Sequence, residues 1–330
     1  MSYTPPRGYW LVDQIGRHGH RCVVMGFPNW VHRNRFKYKG LFYRLCQLLY
    51  PLLLLLRTRP ADVVLIYDST TMAAMVGAVV QRLRIKRNII LMNMMDNPSA
   101  SGAGKRLLYG GLRPISIGVN SEALISRYVE QYRFDRKRFF LLEDCYSNFG
   151  IELLRKGDDY PQDGGYVFCG GTTYRDWHLF VETARRCPHI PFIGVARKQL
   201  FNETRLPENL TIYFDLDNAS FNEYLRRCRL LFMPLTVDTQ GGQIVIFSAG
   251  LLKKPVVTTD TLTIRTYMDD PADGRIIPRG NVEAAVEAVS ALYADEALRQ
   301  RLGASLYARI RHFSPENFYR RIADYCGLPA

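Results

Sequence analysis

The feature that most constrains this chain's fold is an alternation of short apolar runs with helical stretches along almost all of its 330 residues. The runs stand at 21–27, 62–68, 88–95, 115–120 and 139–145, and again at 166–171, 191–197, 210–216, 230–235 and 256–260. Each run is apolar throughout rather than at every second residue, which is typical of parallel strands covered on both faces. Strands separated by helices form right-handed crossover units. The sequence therefore predicts an α/β fold with doubly wound parallel sheets.

The strand–helix pattern restarts near residue 150, after which the polar, Pro- and Gly-rich stretch 156–165 predicts a connecting loop. A chain of 330 residues also exceeds one typical core, so we expect more than one domain. The predicted parts are a first domain over 1–150, a second over 151–314 and a C-terminal helix over 315–330. The first domain begins with a helix instead of the usual buried strand, so either its first strand is missing or the true start lies upstream of Met1.

The net charge of +13 belongs entirely to the first half of the chain. Residues 1–150 carry 22 Lys and Arg against 9 Asp and Glu, whereas the other 22 basic residues are matched by 22 acidic ones. Such asymmetry predicts an anionic partner for the first domain, either a membrane surface, a phosphorylated lipid or nucleic acid. No nucleic-acid-binding motif accompanies the charge, so we do not expect nucleic acid as a partner.

The most hydrophobic run, LCQLLYPLLLLL at 45–56, follows a stretch rich in Arg, Lys and aromatics. It is too short to span a bilayer, which takes about 20 residues in a helix. It is either an interfacial segment with basic side chains at lipid headgroups or a core helix with a solvated basic flank. The charge asymmetry favours an anionic membrane surface. The chain has no signal-peptide pattern, and its seven cysteines include no C-x-x-C pair. We expect a cytoplasmic protein, peripherally associated with the inner face of the cell membrane.

Two loops of the second domain follow predicted strands, where ligands of open parallel sheets bind. The first, CGGTTYRDW, contains Gly170, Gly171, Thr172 and Arg175. The glycines allow close approach of the backbone, the threonine offers a hydroxyl, and the arginine can hold a diphosphate. The alternative is that Arg175 is an ordinary surface charge beside a helix start.

The second loop leads into an apolar helix through Gly241, Gly242 and Gln243. A helix N-terminus presents unpaired N–H groups and partial positive charge, so it can seat a phosphate. The alternative is a tight turn that feeds a buried helix. The stretch at 258–261, after the next predicted strand, adds further hydroxyls and a carboxylate at the same edge.

In the first domain, Asp96 follows the predicted strand 88–95. A carboxylate there can take a proton from an acceptor hydroxyl as general base, or it can start a turn with Asn97 and Pro98. We expect no metal site, because the six histidines and the cysteines lack ligand spacing. Asp215 and Asp217 have a D-x-D spacing but follow a strand in a loop that we assign to the base side of a nucleotide.

A family resemblance rests on four segments in order: CGGTTYRDWHLFVETA, PENLTIYFDLDNASFNEYLRRCRLLFMPL, GGQIVIFSAGLLKKPVVTTDTLTIRTYM and DGRIIPRGNVEAAVEAVSALYAD. Together with the tail they resemble the nucleotide-sugar-binding domain of GT-B glycosyltransferases, the family 4 type in particular. The resemblance covers nearly all of residues 165–326, while the first half is similar only in layout. It implies two Rossmann-like domains facing across a cleft, with a donor nucleotide sugar held by the second, an acceptor held by the first, and no cofactor.

The family's motif of two glutamates separated by seven residues falls on Gln240 and Ser248. In the family, the first glutamate contacts the donor sugar and the second binds ribose hydroxyls. Glutamine can still exchange hydrogen bonds with a sugar, whereas serine is shorter and neutral and holds a ribose diol less well. The resemblance also places Arg175 near a diphosphate-binding cation and Asp96 near an acceptor-domain catalytic residue.

The sequence thus predicts a metal-independent hexosyltransferase that moves a sugar from a UDP- or GDP-linked donor to a lipid-linked or polysaccharide acceptor. The expected setting is cell-envelope or exopolysaccharide synthesis. Two alternatives share the fold: a nucleotide-sugar 2-epimerase, and a catalytically degenerate nucleotide-binding protein that has lost the two glutamates.

Overall fold

The computed structural model describes residues 10–24, 49–67, 69–94, 102–146, 150–152, 163–171, 174–201, 205–238 and 240–328. The chain divides into two compact units: Met1–Glu143 together with Phe318–Ala330, and Asp144–Asn317. The divisions therefore fall at 143/144 and 317/318, where the sequence predicted 150/151 and 314/315. Each unit is described by itself.

The first unit is built on a parallel sheet with the strand order β1-β2-β3-β4 in its described part. The strands are β1 (Val63–Tyr67), β2 (Asn88–Met92), β3 (Ser116–Val119) and β4 (Phe139–Leu141). Residues 49–57 are helical, as are α1 (Trp10–Arg17), α2 (Thr70–Leu83), α3 (Gly102–Leu112) and α4 (Glu122–Tyr132). The side chains of Leu91 and Ile117 are fully buried, as the continuous apolar runs require.

Local signals fix the ends of α2. The side chain of Ser69 accepts a hydrogen bond from the backbone N–H of Met72 at 3.4 Å, and Arg84 closes the helix in the left-handed conformation at φ 53°. Within the helix, Gly77 faces Gly111 of α3 so closely that a Cβ at Gly77 would overlap the Gly111 carbonyl oxygen. The two glycines therefore allow the two helix backbones to touch.

The second unit contains a six-stranded parallel sheet with the order β10-β9-β8-β5-β6-β7. The strands are β5 (Val167–Gly170), β6 (Phe192–Ala196), β7 (Leu210–Phe214), β8 (Leu230–Met233), β9 (Val256–Thr259) and β10 (Arg275–Ile277). The helices are α5 (Trp177–Arg186), α6 (Asn218–Arg227), α7 (Gln243–Leu251), α8 (Ile264–Tyr267), α9 (Val282–Ala294) and α10 (Glu296–Ile310), followed by α11 (Pro315–Cys326). Apolar side chains form one cluster that includes Phe247 and Leu306 and another that includes Phe180 and Val289.

The end of α11 packs within the first unit. The rings of Trp10 and Phe318 meet edge to face at 5.1 Å, and the ring of Tyr325 stacks on Phe140 at 3.9 Å. The Tyr325 hydroxyl also hydrogen-bonds with the Ser116 hydroxyl at 2.9 Å. These contacts fasten the C-terminal helix to β3 and β4.

The doubly wound parallel sheets predicted from the sequence are confirmed. One predicted strand, 21–27, is wrong in its described part, because residues 21–24 are not in a strand; the remainder lies outside the described residues. The sequence also missed β10 and α8. Among the described residues no helix is long and apolar enough to cross a bilayer. The same residues include no cluster of three or more His, Cys, Asp or Glu side chains that could hold a metal ion.

Candidate functional site

The candidate site lies at the point in the second sheet where the order of the strands reverses, between β5 and β8. From β5 the chain moves outward through β6 and β7, whereas β8, β9 and β10 lie on the other side of β5. Strands β5 and β8 pair in parallel, so the loops that follow them leave the same edge side by side. In open parallel sheets this crevice is where ligands bind.

The loops after β5 and β8 are joined by backbone hydrogen bonds. The N–H of Asp176 donates to the carbonyl of Pro234, and the N–H of Thr236 donates to the carbonyl of Tyr174, both at 3.0 Å. Arg175 and Leu235 form the antiparallel bridge between them. This pairing places the Arg175 loop beside the loop that leads to the two glycines.

Tyr174 contributes directly to that junction. It adopts the left-handed conformation at φ 59°, which is uncommon for a residue with a side chain. A Cβ on Gly241 would lie 3.5 Å from its Cδ2 atom, so Tyr174 stands next to the glycine pair. The two candidate phosphate-binding loops, which are far apart in the sequence, are therefore neighbours.

The side chain of Arg175 packs against the backbone of its own loop, at Gly170 and Gly171. Its Nε atom donates to the Gly170 carbonyl at 2.8 Å. Gly171 adopts φ 115°, and a Cβ there would collide with the guanidinium. The sequence thus needs Gly171 both for the backbone turn and for the space that the arginine fills.

The electrostatics around Arg175 follow from burial. Burial lowers the pKa of the guanidinium, because it removes water from a charged group. Burial also raises the pKa of the neighbouring Cys169 thiol to about 12, although the charge of Arg175 opposes that rise. The thiol therefore stays neutral near neutral pH and contributes no negative charge. A partly desolvated cation of this kind favours an anionic ligand.

Gly242 opens α7 at φ 82°, in the left-handed region that glycine tolerates. It supplies no side chain to cap the helix, so none competes for the N–H groups of the first turn. The side chain of Gln243 is buried and donates from Nε2 to the Thr263 hydroxyl at 3.3 Å. The start of α7 can therefore receive an anion through its backbone.

The two positions that match the family's glutamates have different surroundings. Gln240 is buried immediately before the glycine pair. Ser248 is buried one turn inside α7, where its hydroxyl donates to the Ile244 carbonyl at 2.9 Å. Its hydroxyl is therefore engaged by its own helix.

The end of β9 and the loop after it form hydrogen bonds with the loop that follows β8. The backbone N–H of Leu235 donates to the Thr259 hydroxyl at 2.9 Å, and the Asp238 carboxylate accepts from the N–H of Leu262 at 2.8 Å. Sequence reasoning did not single out Asp238 or Tyr174. Asp238 could have been found from the sequence, because it is a carboxylate in the loop that leads to the glycines. Tyr174 could not, because its role depends on a pairing between residues far apart in the sequence.

Two predicted site residues, Asp96 and Thr172, lie outside the described residues. Asp217, part of the D-x-D spacing, caps α6 by accepting a hydrogen bond from the Ser220 N–H at 2.8 Å. That hydrogen bond lowers the pKa of the Asp217 carboxyl. The structure thus gives this carboxylate a structural role.

Comparison with known proteins places the fold. The family model for glycosyl transferases group 1 matches residues 195–309. The chain is similar to Anabaena HepE, solved with UDP-glucose, at 15% identity and TM-score 0.63, with 80% of this chain and 78% of that chain covered. It is similar to a glycosyltransferase from Rickettsia africae at 13% identity and TM-score 0.65, covering 96% and 86%. A mutant of S. aureus TarM, solved with Fondaparinux, alpha-GlcNAc-glycerol and UDP, aligns at 12% identity and TM-score 0.59, covering 76% and 54%.

The fold is that of the GT-B glycosyltransferases, as predicted. Within it, residues 195–309 of the second unit match the model of the glycosyl transferases group 1 family, which is about a third of the chain. Curated proteins provide no match to the sequence.

Proposed function

We propose that this protein is a hexosyltransferase that transfers a sugar from a nucleotide-sugar donor to a lipid-linked or polysaccharide acceptor. The observation that carries the proposal is the pairing of residues 174–176 with 234–236, which sets the loop of Arg175 beside the loop that leads to the uncapped start of α7. The matched family and the neighbours solved with UDP or UDP-glucose support a UDP-linked donor, with GDP as the alternative base.

In the proposed mechanism the donor diphosphate lies between the Gly170–Gly171 turn and the Gly241–Gly242 turn, and a Cβ on Gly241 would meet only ordinary contacts. Negative charge builds up on the leaving diphosphate as the bond to the sugar breaks. The first-turn N–H groups of α7 and the guanidinium of Arg175 stabilise that charge, since both are oriented before the reaction begins. These groups supply the charge stabilisation for which many transferases use a metal ion, so the proposed reaction is metal-independent.

The sugar and the nucleoside need further contacts. Gln240, just before the glycines, is the proposed partner for a donor-sugar hydroxyl, because its amide can both donate and accept. Ser248 remains the candidate for the ribose. Gln243 helps to fix the start of α7 through Thr263. Asp96, which follows β2 in the sequence, is the proposed general base for the acceptor hydroxyl, and Thr172 a further donor-binding hydroxyl.

A lipid-linked acceptor agrees with the basic first half of the chain, and we place the protein at the inner face of the cell membrane, working on envelope or exopolysaccharide precursors. Turnover is tested by incubating the protein with UDP-glucose labelled in the glucose, with and without a lipid extract. Release of free UDP and formation of labelled glycolipid are measured. The proposal expects UDP release that increases with the extract and a labelled lipid product. GDP-linked donors are assayed in the same way.

One observation favours a second candidate, a nucleotide-binding protein without turnover. Neither motif carboxylate is present, and the hydroxyl of Ser248 is turned to its own helix. That candidate predicts nucleotide binding with neither UDP release nor sugar transfer. A 2-epimerase would instead give an epimerised sugar from donor alone, without any acceptor.

A further inference from the structure

Among the described residues of the first unit, a group of cations lies at one edge of the sheet. Because all four strands are parallel, the segments that precede them meet at a single edge. These segments are 57–62, 84–87, 113–115 and 133–138. They carry ten cations, Arg57, Arg59, Arg84, Lys86, Arg87, Arg113, Arg133, Arg136, Lys137 and Arg138, against the carboxylates Asp62 and Asp135. We call these ten residues the basic edge.

The opposite edge has the reverse composition. The described residues that directly follow the strands, 69, 93–94, 120–121 and 142–144, include two acidic residues and no Lys or Arg. The first unit is therefore polarised along its strands.

Most of the basic edge is exposed. Arg136 forms an ion pair with Glu122 at 2.8 Å. Within the part of the chain that the structure describes, no carboxylate lies within ion-pair distance of the other nine cations. Clustered like charges repel one another, so an anionic surface placed against them is favourable.

A cavity of about 270 Å³ opens between the beginnings of β3 and β4. Arg113, Arg133 and Arg138 line it together with one carboxylate, that of Asp135. Three guanidinium groups against one carboxylate suit a phosphate group, which arginine binds through paired hydrogen bonds.

An exposed leucine face ends at the basic edge. In helix 49–57 the side chains of Leu49, Leu52, Leu53 and Leu56 are 58%, 45%, 47% and 83% exposed, at the spacing of one helix face. The helix end is joined to the loop before β2, because Arg87 donates from Nη2 to the Thr58 carbonyl at 3.2 Å. Apolar side chains bordered by cations are the combination that binds the interface of an anionic bilayer.

We infer that the basic edge and the leucine face of helix 49–57 form the surface by which this protein docks on an anionic lipid bilayer. A second copy of the chain would bring like charges together, so charge complementarity selects the bilayer. The inference concerns the edge of the sheet opposite to the one where the proposed acceptor would bind, so it stands apart from the proposed function. It also fixes an orientation: the amino ends of the four strands face the lipid, and their carboxyl ends face away.

The test is sedimentation of the full chain with vesicles of phosphatidylcholine alone or mixed with phosphatidylglycerol, at low and at high salt. We expect binding only to the anionic vesicles, weakened by salt. Arg84→Glu with Arg113→Glu should weaken it at least tenfold, because each cation near the surface contributes about fivefold. The control, Arg205→Glu with Arg301→Glu, makes the same charge change at exposed positions of the second unit and should leave binding unchanged.

The leucine face is tested in the same way. Leu56→Ser should reduce binding several-fold, whereas Phe214→Ser, at a side chain 38% exposed in the second unit, should not. Equal effects of the edge pair and its control would overturn the inference. The inference would also be overturned if the protein bound a DNA or RNA oligonucleotide in a gel-shift assay but did not bind the vesicles. UDP titration of the same preparations separates the two proposals: UDP binding without vesicle binding refutes only the docking surface, and the converse refutes only the donor site.

Discussion

The backbone N–H of Thr236 donates to the carbonyl oxygen of Tyr174 at 3.0 Å and so joins the loops that follow β5 and β8. Each of these loops carries half of the proposed diphosphate site, Arg175 on one side and the Gly241–Gly242 turn on the other. The bond therefore aligns two groups that local sequence alone could not bring together.

Removing that N–H should uncouple the two loops. Thr236→Pro lacks the donor, so we expect UDP affinity to fall about tenfold or more and unfolding free energy to fall by about 1–3 kcal/mol. Thr236→Ala keeps the N–H and loses only the long hydroxyl contact, and it should behave like the wild type within about 0.5 kcal/mol. Calorimetry and urea unfolding compare the two. Equal behaviour of the variants would show that the bond does not hold the site.

The glycine pair provides an internal comparison of backbone conformation. Gly242 adopts φ 82°, whereas Gly241 has no positive φ and meets only ordinary contacts. Gly242→Ala should therefore destabilise the protein by about 1–2 kcal/mol more than Gly241→Ala. Urea denaturation measures both. A larger loss for Gly241→Ala would contradict the described turn.

The first unit should be sensitive to a single methyl group between α2 and α3. Gly77→Ala places a Cβ against the Gly111 carbonyl, and we expect it to cost about 1–3 kcal/mol of unfolding free energy. Gly104→Ala, on an open side of α3, meets nothing within 4 Å and should be neutral or stabilising by up to about 1 kcal/mol. Thermal unfolding of the pair checks this, and comparable stability of the two would argue against the close helix contact.

Burial of the Cys169 thiol predicts a specific loss of stability in alkali. Its pKa rises from 9.0 to about 12 in the folded chain. Above pH about 9 the unfolded thiol loses its proton while the folded one keeps it, so the thiol's contribution to stability falls as pH rises. The slope is about 1.4 kcal/mol per pH unit up to the folded pKa. Cys169→Ala should reduce the total slope between pH 9 and 10.5 by that amount, leaving the share of the buried Cys228 thiol, whose pKa is also raised to about 12. Cys22→Ala, at an exposed position where burial raises the thiol pKa less, should reduce the slope less. Identical slopes in both variants would contradict the burial of Cys169.

The sequence predicts the strands and helices that have a clear hydrophobic pattern. It does not predict the features that depend on contacts between residues far apart in the sequence. Apolar runs such as 88–95 and 191–197 become β2 and β6, because continuous burial of a strand leaves a clear pattern. The short β10 has only Arg275, Ile276 and Ile277, too few residues to show one. For the candidate site, the sequence picks out Arg175 and Gly242 from local chemistry. It does not reveal that Tyr174 pairs with Thr236, or that Ser248 bonds to its own helix, since both depend on tertiary geometry.

The most direct test of the account is calorimetric titration of UDP, GDP and ADP into the wild type, Arg175→Ala and Arg301→Ala. The account predicts that the wild type binds UDP, or GDP as the alternative base. It also predicts that Arg175→Ala weakens that binding about 30-fold or more, because an anion loses a charge-assisted partner worth at least about 2 kcal/mol. Arg301→Ala, on an exposed part of α10, should bind like the wild type. Absence of binding to any of the three nucleotides, or equal affinity in the two variants, would contradict a diphosphate site at Arg175 and the start of α7.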